Sequence, residues 1–473
     1  MEDYTVKITR TQKCGVLVIG GGVGGVSAAI SASRTGADVM LIESGGCLGG
    51  QAGFGIVTPV GSIETISRKS FGGLCKEIYD NVSRLTKKYA SPKEGFEDLK
   101  ASPHILKYVL LKTSVEAGVN VRFHTQFIDA ECENGKIKSV IVSDKNGFMK
   151  ISADMFIDAT GDGDLIVKSG ADYVKGSEKG VYHQLAEEGM DKRHFTDEKM
   201  DGGEKSGLMQ PVSIFFTMEN VDMKKAFEYN NKVYKFGDFG ITKEKFENWE
   251  FAGTCGFEIT DEKIPLPQGR ILVSFGTSNH TAVINMSRVT GIDGTDADSL
   301  NDGEVKAQLQ VIAIVDFLKT FIPGFENSYL VQSASSLGVR ETRRLKGNYV
   351  LSGLEAIKAA QNDERIARGS YIIDIHDPNG RKSAFGGDIK GDFYDIPYGT
   401  LVTDKVENLL VCGRCISVDH VANSSTRVQG TCIMTGQAAG TAAALAVKEN
   451  ISAPRVDVKK LQKILIDNGV YLD

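Results

Sequence analysis

Three glycines, Gly20, Gly22 and Gly25, stand in the spacing G-x-G-x-x-G. In that spacing the first glycine allows a tight turn, the second lets the backbone approach a pyrophosphate, and the third lets a helix pack closely on a strand. A helix that opens there offers unpaired N–H groups and the positive end of its dipole to phosphate. The triplet follows the apolar run Val16-Leu17-Val18-Ile19 and opens an alanine-rich stretch, Val26 to Arg34, that stops at Gly36. A second apolar run, Val39-Met40-Leu41-Ile42, ends at Glu43, the position of a carboxylate that binds adenosine ribose hydroxyls. An acid there disfavours a 2′-phosphate, so a dinucleotide other than NADP is expected.

Thiol and metal chemistry have weaker support. Of eight cysteines, the one close pair is Cys412-x-x-Cys415. A metal site would call for a second such pair, and Cys412 falls in an apolar strand pattern, so packing is expected of it. Cysteine usage of this kind suits a reducing compartment. No apolar stretch reaches the roughly 18 residues of a spanning helix. The start Met1-Glu2-Asp3-Tyr4 has no hydrophobic signal core, so a cytoplasmic location without membrane contact is expected. With 55 Lys+Arg against 61 Asp+Glu the formal charge is −6, and the densest basic cluster is Arg340 to Lys346. That leaves no basic footprint for a nucleic-acid partner.

The elements that must hold these groups read as α/β. At about 100–200 residues per domain, 473 residues suggest two or three domains. Strand, glycine loop, helix and strand form one βαβ unit over the first 43 residues. Gly45 to Gly61 reads as an ordered glycine-rich loop. Ser102-Pro103 opens a helix with apolar stripe Ile105, Leu106, Val109 and Leu110, and Gly118 closes it. A strand over Val119 to Phe123 follows. Three strands near 127–133, 136–143 and 148–152 are joined by Asn134-Gly135 and Asn146-Gly147, both hairpin turns. Phe156 to Gly161 is a separate buried strand ending at a glycine loop. From 172 to 398 the texture is more charged, with strands at Pro211 to Met218, Arg270 to Phe275 and Ala282 to Met286, and a long helix from Asn301 to Phe321. Asn408 to Gly413 is a last buried strand. A helix of small residues, Val428 to Val447, and an amphipathic one, Val458 to Asn468, complete the chain. The expected fold is a Rossmann-like α/β domain with an inserted β-meander, built from 1–170 and 400–473, and an inserted α+β substrate or cap domain over 171–399.

A meander entered at Gln126 to Ile128 and closed by Ala159-Thr160-Gly161 resembles the FAD domains of the two-dinucleotide-binding-domain flavoproteins. Further motifs extend the likeness: Ile157-Asp158-Ala159-Thr160-Gly161-Asp162-Gly163-Asp164, Ile284-Asn285-Met286-Ser287-Arg288-Val289, Gly338-Val339-Arg340-Glu341-Thr342-Arg343-Arg344, Asp374-Ile375-His376-Asp377, and Cys412-Gly413-Arg414-Cys415-Ile416-Ser417 through Gly436-Gln437-Ala438-Ala439-Gly440. In this order they resemble the FAD-dependent oxidoreductases related to fumarate-reductase and heterodisulfide-reductase flavoproteins. The likeness covers nearly the whole chain and is specific for fold and cofactor, not for substrate. It implies FAD, with Gly20, Gly22 and Gly25 at the pyrophosphate, Glu43 at the ribose, and Ser44 among the cofactor-binding residues. Gly49, Gly50 and Gln51 would lie along the cofactor, and Phe127 would give backbone contacts to adenine. Ala159, Thr160, Gly161 and Gly413 would let the cofactor pass close to the chain. Gln429, Gly430 and Thr431 would open a helix toward the flavin pyrimidine edge. Gly436, Ala439 and Gly440 are expected to serve helix packing.

Related chemistries fit less well. The Asp162-Gly163 pair invites comparison with aromatic hydroxylases, but Asp164 to Lys168 follows it and Gly413-Arg414-Cys415 replaces their late Gly-Asp-Ala. Cys47 has no nearby partner for a redox disulfide, no second G-x-G-x-x-G follows a strand, and iron–sulfur cysteine runs are absent.

A flavin oxidoreductase needs cations or donors to hold an anionic or carbonyl substrate, and an acid or base for the accompanying proton. His420, His376, Arg427 and Arg340 are the catalytic candidates, with Arg288 and Arg343 behind them; no metal is expected. The resulting expectation is an FAD-dependent oxidoreductase that passes a hydride between a small polar substrate and flavin N5, with an external electron donor or acceptor as a possible partner. One alternative is enoate reduction of the fumarate-reductase kind, fed by a partner electron donor. A second is a non-catalytic flavin subunit of an electron-transfer complex. FAD-assisted nucleic-acid modification is opposed by the charge.

Overall fold

The computed structural model describes residues 7–57, 70–89, 102–180, 207–233, 254–258, 267, 270–275, 280–378 and 383–473. Strands β1 (Arg10–Ile19), β2 (Val39–Ile42), β3 (Asn120–Arg122), β4 (Gln126–Glu133), β5 (Lys136–Asp144) and β6 (Gly147–Asp158) form a sheet in the order β3-β2-β1-β6-β5-β4, with the strand Leu409–Val411 also paired to β6. Four pairings are parallel: β1 with β2, β2 with β3, β1 with β6, and β6 with the strand Leu409–Val411. The pairings of β5 with β4 and with β6 are antiparallel. The apolar runs of the parallel strands, such as Val16 to Ile19, are buried throughout, as strands covered on both faces must be. This is the expected Rossmann-like α/β architecture with a meander on one side.

One expected element differs. The sequence separates a strand at 148–152 from another at 156–161, yet β6 runs unbroken from Gly147 to Asp158. Its pairing with β1 extends from Arg10 beside Met149 to Ile19 beside Asp158. The parallel partner supplies hydrogen bonds through the polar stretch that looked like an end.

Register decides where the loops meet. Ile19 lies beside Ile42 and Asp158, and Val411 beside Asp158. The segments starting at Gly20, Glu43, Ala159 and Cys412 therefore leave the sheet side by side at its carboxyl edge, where open α/β sheets bind ligands.

Helix α1 (Val23–Arg34) crosses the helix Gln429–Glu449 with almost no side-chain spacing. A Cβ at Gly436 would overlap the Gly24 carbonyl, and one at Gly440 the Ala28 carbonyl. Ser27 Oγ also donates to the Ile433 carbonyl at 2.8 Å. The expected packing role of the small residues is what these contacts show.

A second sheet is antiparallel, in the order Tyr329–Ser333, Phe215–Glu219, Ala282–Asn285, Arg270–Phe275, Thr254–Glu258. With the helix Ala297–Phe321 it encloses a second apolar core, drawn from Ile56 and from Val212 to Leu337. The helix starts four residues ahead of the expected Asn301 because the Asp296 carboxylate caps it, accepting from Ser299 N–H at 2.8 Å. The strand expected from Pro211 begins only at Phe215; Val212 and Ser213 instead form single bridges to Val289 and Gly338. Apolar residues from Leu345 to Val402 pack into the first core. Among the described residues no helix is long and apolar enough to cross a membrane.

Candidate active site

A cavity of about 560 Å³ opens at the carboxyl edge of the first sheet. On one side it is lined by the Gly20-Gly21-Gly22 turn, by Glu43 and Ser44, and by Gly49, Gly50 and Gln51. Gly20 has φ +105°, and a Cβ there would meet the Ala159 carbonyl at 2.5 Å, so only glycine fits this turn. A Cβ on Gly22 would meet nothing within 4 Å: that backbone faces open space. Gly25 has the packing part that its place in the spacing predicts rather than the pyrophosphate contact that the resemblance implies. Its Cβ position is filled by the Gly20 carbonyl and the Ala159 side chain, and it does not line the cavity. It serves helix–strand packing alone.

The buried Glu43 carboxylate accepts from Gly21 N–H at 2.8 Å, from Gly45 N–H at 2.7 Å and from the Ser44 hydroxyl at 3.1 Å. Carboxylate oxygens have further lone pairs, which remain for a ligand. Phe127, on β4, lines the same stretch, as do Ala159, Thr160, Gly161 and Gly413. Behind them, buried Asp158 accepts from Thr160 N–H at 3.0 Å, the Thr160 hydroxyl at 2.7 Å and Ile166 N–H at 2.9 Å. Burial pushes its carboxyl up to about 6. Asp158 thus folds the Ala159-Thr160-Gly161 loop rather than facing the cavity.

At the start of the helix Gln429–Glu449, Val428, Gln429 and Cys432 reach the cavity. The Gln429 side chain is engaged with the Val57 carbonyl at 2.8 Å and the Tyr79 hydroxyl at 2.9 Å. Gly430 and Thr431 do not line the cavity: a Cβ at Gly430 would press on the Phe71 ring, and Thr431 is fully buried.

The opposite wall carries charge. Arg340, Tyr371, Asp374, His376, Arg414 and Arg427 all line it. The strand Ile373–His376 brings Asp374 and His376 there. It is tied to the short helix His420–Thr426, whose Ser424 hydroxyl accepts from Asp374 N–H at 3.1 Å and whose Ser425 hydroxyl donates to the Tyr371 carbonyl at 2.6 Å. Arg427, directly after that helix, donates to the Asp374 carbonyl at 2.9 Å, with its other approach to the Asp374 carboxylate at 3.7 Å. Arg340 donates to the Pro211 carbonyl at 2.6 Å. Burial, then the charges of Arg427 and Arg288, pull its guanidinium down to about 9.

His376 Nε2 stands 3.4 Å from an Asp374 carboxylate oxygen, and its Nδ1 stands 3.4 Å from Arg288 Nη1. A guanidinium can only donate, so the network assigns the ring proton to Nε2. Burial pulls the imidazole down to about 4, against the raising effect of Asp374, so the ring is neutral at neutral pH. Asp374 is held well below the usual carboxylate range: burial raises it, but His376, Arg427 and Arg340 outweigh that. Arg288 donates to the Asp377 carbonyl at 2.6 Å and does not line the cavity; nor does Arg343, which pairs with Asp164 at 3.0 Å.

His420 corrects an expectation. Its ring is 0% exposed and absent from the cavity wall. Nδ1 lies 2.7 Å from the Glu341 carboxylate, which also pairs with Arg344; Arg344 in turn reaches Glu178 at 2.6 Å. Burial would raise Glu341, yet His420 and Arg344 hold it down at about 2. His420, Glu341 and Arg344 are buried together, and Glu178 carries the network toward the surface. The Cys412 and Cys415 thiols are also buried and pushed well above their ordinary value by burial, in keeping with packing.

Sequence reasoning passed over Asp374, Tyr371 and Arg414. Arg414 pairs with Asp162 at 2.8 Å beside Gly161. Each stands next to or within a motif quoted above, and a search for acids beside the candidate histidine would have found Asp374.

A family model described as FAD dependent oxidoreductase matches residues 15–465. The chain belongs to that family; it is an FAD-dependent oxidoreductase, an enzyme family acting on small molecules. Its fold is similar to that of a geranylgeranyl bacteriochlorophyll reductase-like protein from Thermoplasma acidophilum, at 13% identity over 97% of this chain and 84% of that one, TM-score 0.44. It is also similar to p-nitrophenol 4-monooxygenase from Pseudomonas putida DLL-E4, at 10% identity over 97% and 87%, TM-score 0.45. A flavin-dependent brominase aligns at 10% identity over 96% and 83%, TM-score 0.46. No curated protein sequence matches significantly.

The cavity suits FAD on its own evidence. It has a side-chain-free glycine turn at a helix N-terminus for a diphosphate, a buried carboxylate for a ribose, and buried polar atoms that the protein leaves unsatisfied. Gln51 Oε1, Asn285 Oδ1 and Arg414 Nη1 have no hydrogen-bond partner among the described residues, and all three residues line the cavity.

Proposed function

We propose that this enzyme moves a hydride between a small polar substrate and N5 of FAD, with the substrate held by Arg340 and Arg427 and its proton handled by His376 with Asp374. One observation supports this reading above the others: the glycine–carboxylate wall and the arginine–histidine wall border a single cavity. FAD, when bound, supplies a two-electron donor or acceptor. Gly20, Gly22, Glu43, Ser44, Gly49, Gly50 and Gln51 would hold it on one side. Phe127, the Ala159-Thr160-Gly161 loop, Gly413 and Gln429 would hold it on the other.

The remaining work falls to this chain's own side chains. Arg340 and Arg427 orient the substrate by charge-assisted hydrogen bonds. His376, neutral with its proton on Nε2 toward Asp374, acts as a base: it accepts the substrate's proton at Nδ1, Asp374 stabilises the imidazolium so formed, and in the reverse direction that imidazolium returns the proton. Ser424 and Ser425 fix the strand that carries both groups. His420 is not put forward as a proton carrier, because its ring has no path to the cavity. We also propose a discontinuous flavin-binding part with an inserted substrate part. The packing of Leu345 to Val402 into the first core favours assigning that stretch to the flavin-binding part, ahead of the expected return near residue 400.

Anaerobic absorption spectra of the FAD-loaded protein test the reading. Bleaching of the flavin bands by NADH or by a small oxidisable substrate, or recovery of bleached bands with a small reducible one, is expected. Flavin that exchanges electrons only with a protein partner would overturn it.

A further inference from the structure

Charges on the arginine wall do not cancel. Arg340 lines the cavity, and among the described residues its only hydrogen-bond partner is a neutral carbonyl, that of Pro211. Arg427 shares its charge with Asp374. Tyr371 stays neutral because burial pushes its hydroxyl up, and His376 stays neutral for the reason given above. Arg414 and Asp162 pair with one another at 2.8 Å. Glu341 also acts on Arg427, but that carboxylate is already paired with Arg344 and His420, so on the cavity wall two guanidiniums face one carboxylate, in a place where an unbalanced charge is costly. Arg427 Nη1 also lacks a partner among the described residues.

We propose that Arg340 and Arg427 form a receptor for one carboxylate carried by the substrate. The inference rests on the hydride-transfer reading and names its substrate class: a small organic acid. The cofactor's diphosphate does not supply this anion. That group belongs at the first turn of α1, which opens after the Gly20-Gly21-Gly22 turn, whereas the groups acting on Arg340 are Pro211, Arg427, Arg288, Asp374 and Tyr371. A carboxylate fits better than a phosphate for two reasons. It carries one negative charge, matching the surplus, where a phosphate monoester carries about 1.5–2 at neutral pH. Its two planar oxygens match a guanidinium fork, and Asp374 on the same wall would repel additional negative charge.

The test is a titration of the FAD-loaded protein with acetate, propionate and lactate, with acetamide and propionamide, and with inorganic phosphate, read by the flavin difference spectrum and by calorimetry. The carboxylates are expected to bind saturably, with the isosteric amides and phosphate weaker by roughly tenfold or more. Arg340→Gln is expected to weaken carboxylate binding by about the same factor while keeping flavin content and melting temperature, and Arg340→Lys to recover part of it. If Arg340→Gln does not fold, the Lys variant and the carboxylate–amide difference in the unaltered protein decide the matter. Equal binding of acid and amide, preferential binding of phosphate, or full affinity in the folded Arg340→Gln variant would overturn the receptor. These outcomes separate from those of the underlying reading. A flavin that dithionite bleaches and a small-molecule substrate restores, with no carboxylate binding, sinks the receptor alone. Arg340-dependent carboxylate binding beside a flavin that no small molecule reduces or reoxidises sinks hydride transfer alone.

Discussion

Two histidines in this molecule each face a carboxylate, and the two pairs have opposite surroundings. His376 and Asp374 line the cavity, with side chains 14% and 27% exposed. His420 and Glu341 are both 0% exposed, and Arg344 links Glu341 to Glu178. Both histidines sit one residue from an aspartate in short motifs of similar make-up, Asp374-Ile375-His376-Asp377 and Asp419-His420-Val421. The same side-chain pairing therefore opens on a ligand space in one place and is wholly buried in the other.

The largest expected effect belongs to the sealed pair. Glu341→Gln leaves Arg344 and His420 without their shared anion, and should lower unfolding stability by about 3–5 kcal/mol, measured as a shift in denaturant midpoint. A midpoint shift no larger than that of Asp374→Asn would erase the contrast between the pairs. Next comes His376→Gln, which should keep FAD but slow substrate-dependent flavin reduction by about 100-fold or more, read in anaerobic stopped-flow. Retention of the full rate would remove the histidine from the reaction.

A smaller effect is expected in pH dependence. The His376 ring titrates near about 4 in the fold, against about 6.5 unfolded. Between those values the unfolded chain binds more protons, so stability is highest above about 6.5 and falls as the pH drops toward 4, by up to about 3 kcal/mol. Asp158, raised to about 6, has the opposite slope in part of that window. The clean measurement is therefore the difference between the unaltered protein and His376→Gln from pH 4 to 7; a flat difference would show that the ring is not desolvated. The smallest effect is that of His420→Gln on chemistry. Flavin reduction should proceed at the normal rate per bound FAD, with the loss confined to melting temperature, and a slowed rate in folded protein would restore His420 to the site.

Local spacing made the glycine turn, Glu43, the hairpins and the long helices legible, because each is written in contiguous residues. The unity of β6 was not, since Ser152-Ala153-Asp154 looks like a strand end until β1 lies alongside it. His376 and Arg427, singled out by their motifs, both line the cavity. His420 was misread because burial arises from Glu178, Glu341 and Arg344, remote in sequence. Asp374, Tyr371 and Arg414 were missed for the converse reason: their shared wall forms only when the segments around 340, 371 and 414 converge. Gly430 and Thr431 differ from Gln429 by helical phase, which turns Gln429 to the cavity and the Gly430 backbone against the Phe71 ring.

The crossing of α1 with the helix Gln429–Glu449 also has a consequence for biosynthesis. Ser27 and Ile433, bonded across it, are 406 residues apart. At about 5–20 residues per second, the ribosome leaves the nucleotide turn without its covering helix for roughly 20–80 s. Throughout that interval the faces of α1 around Gly24 and Ala28 have nothing to pack on. The nascent chain must shield this apolar surface by other means, and cofactor loading becomes a late event of synthesis rather than an early one.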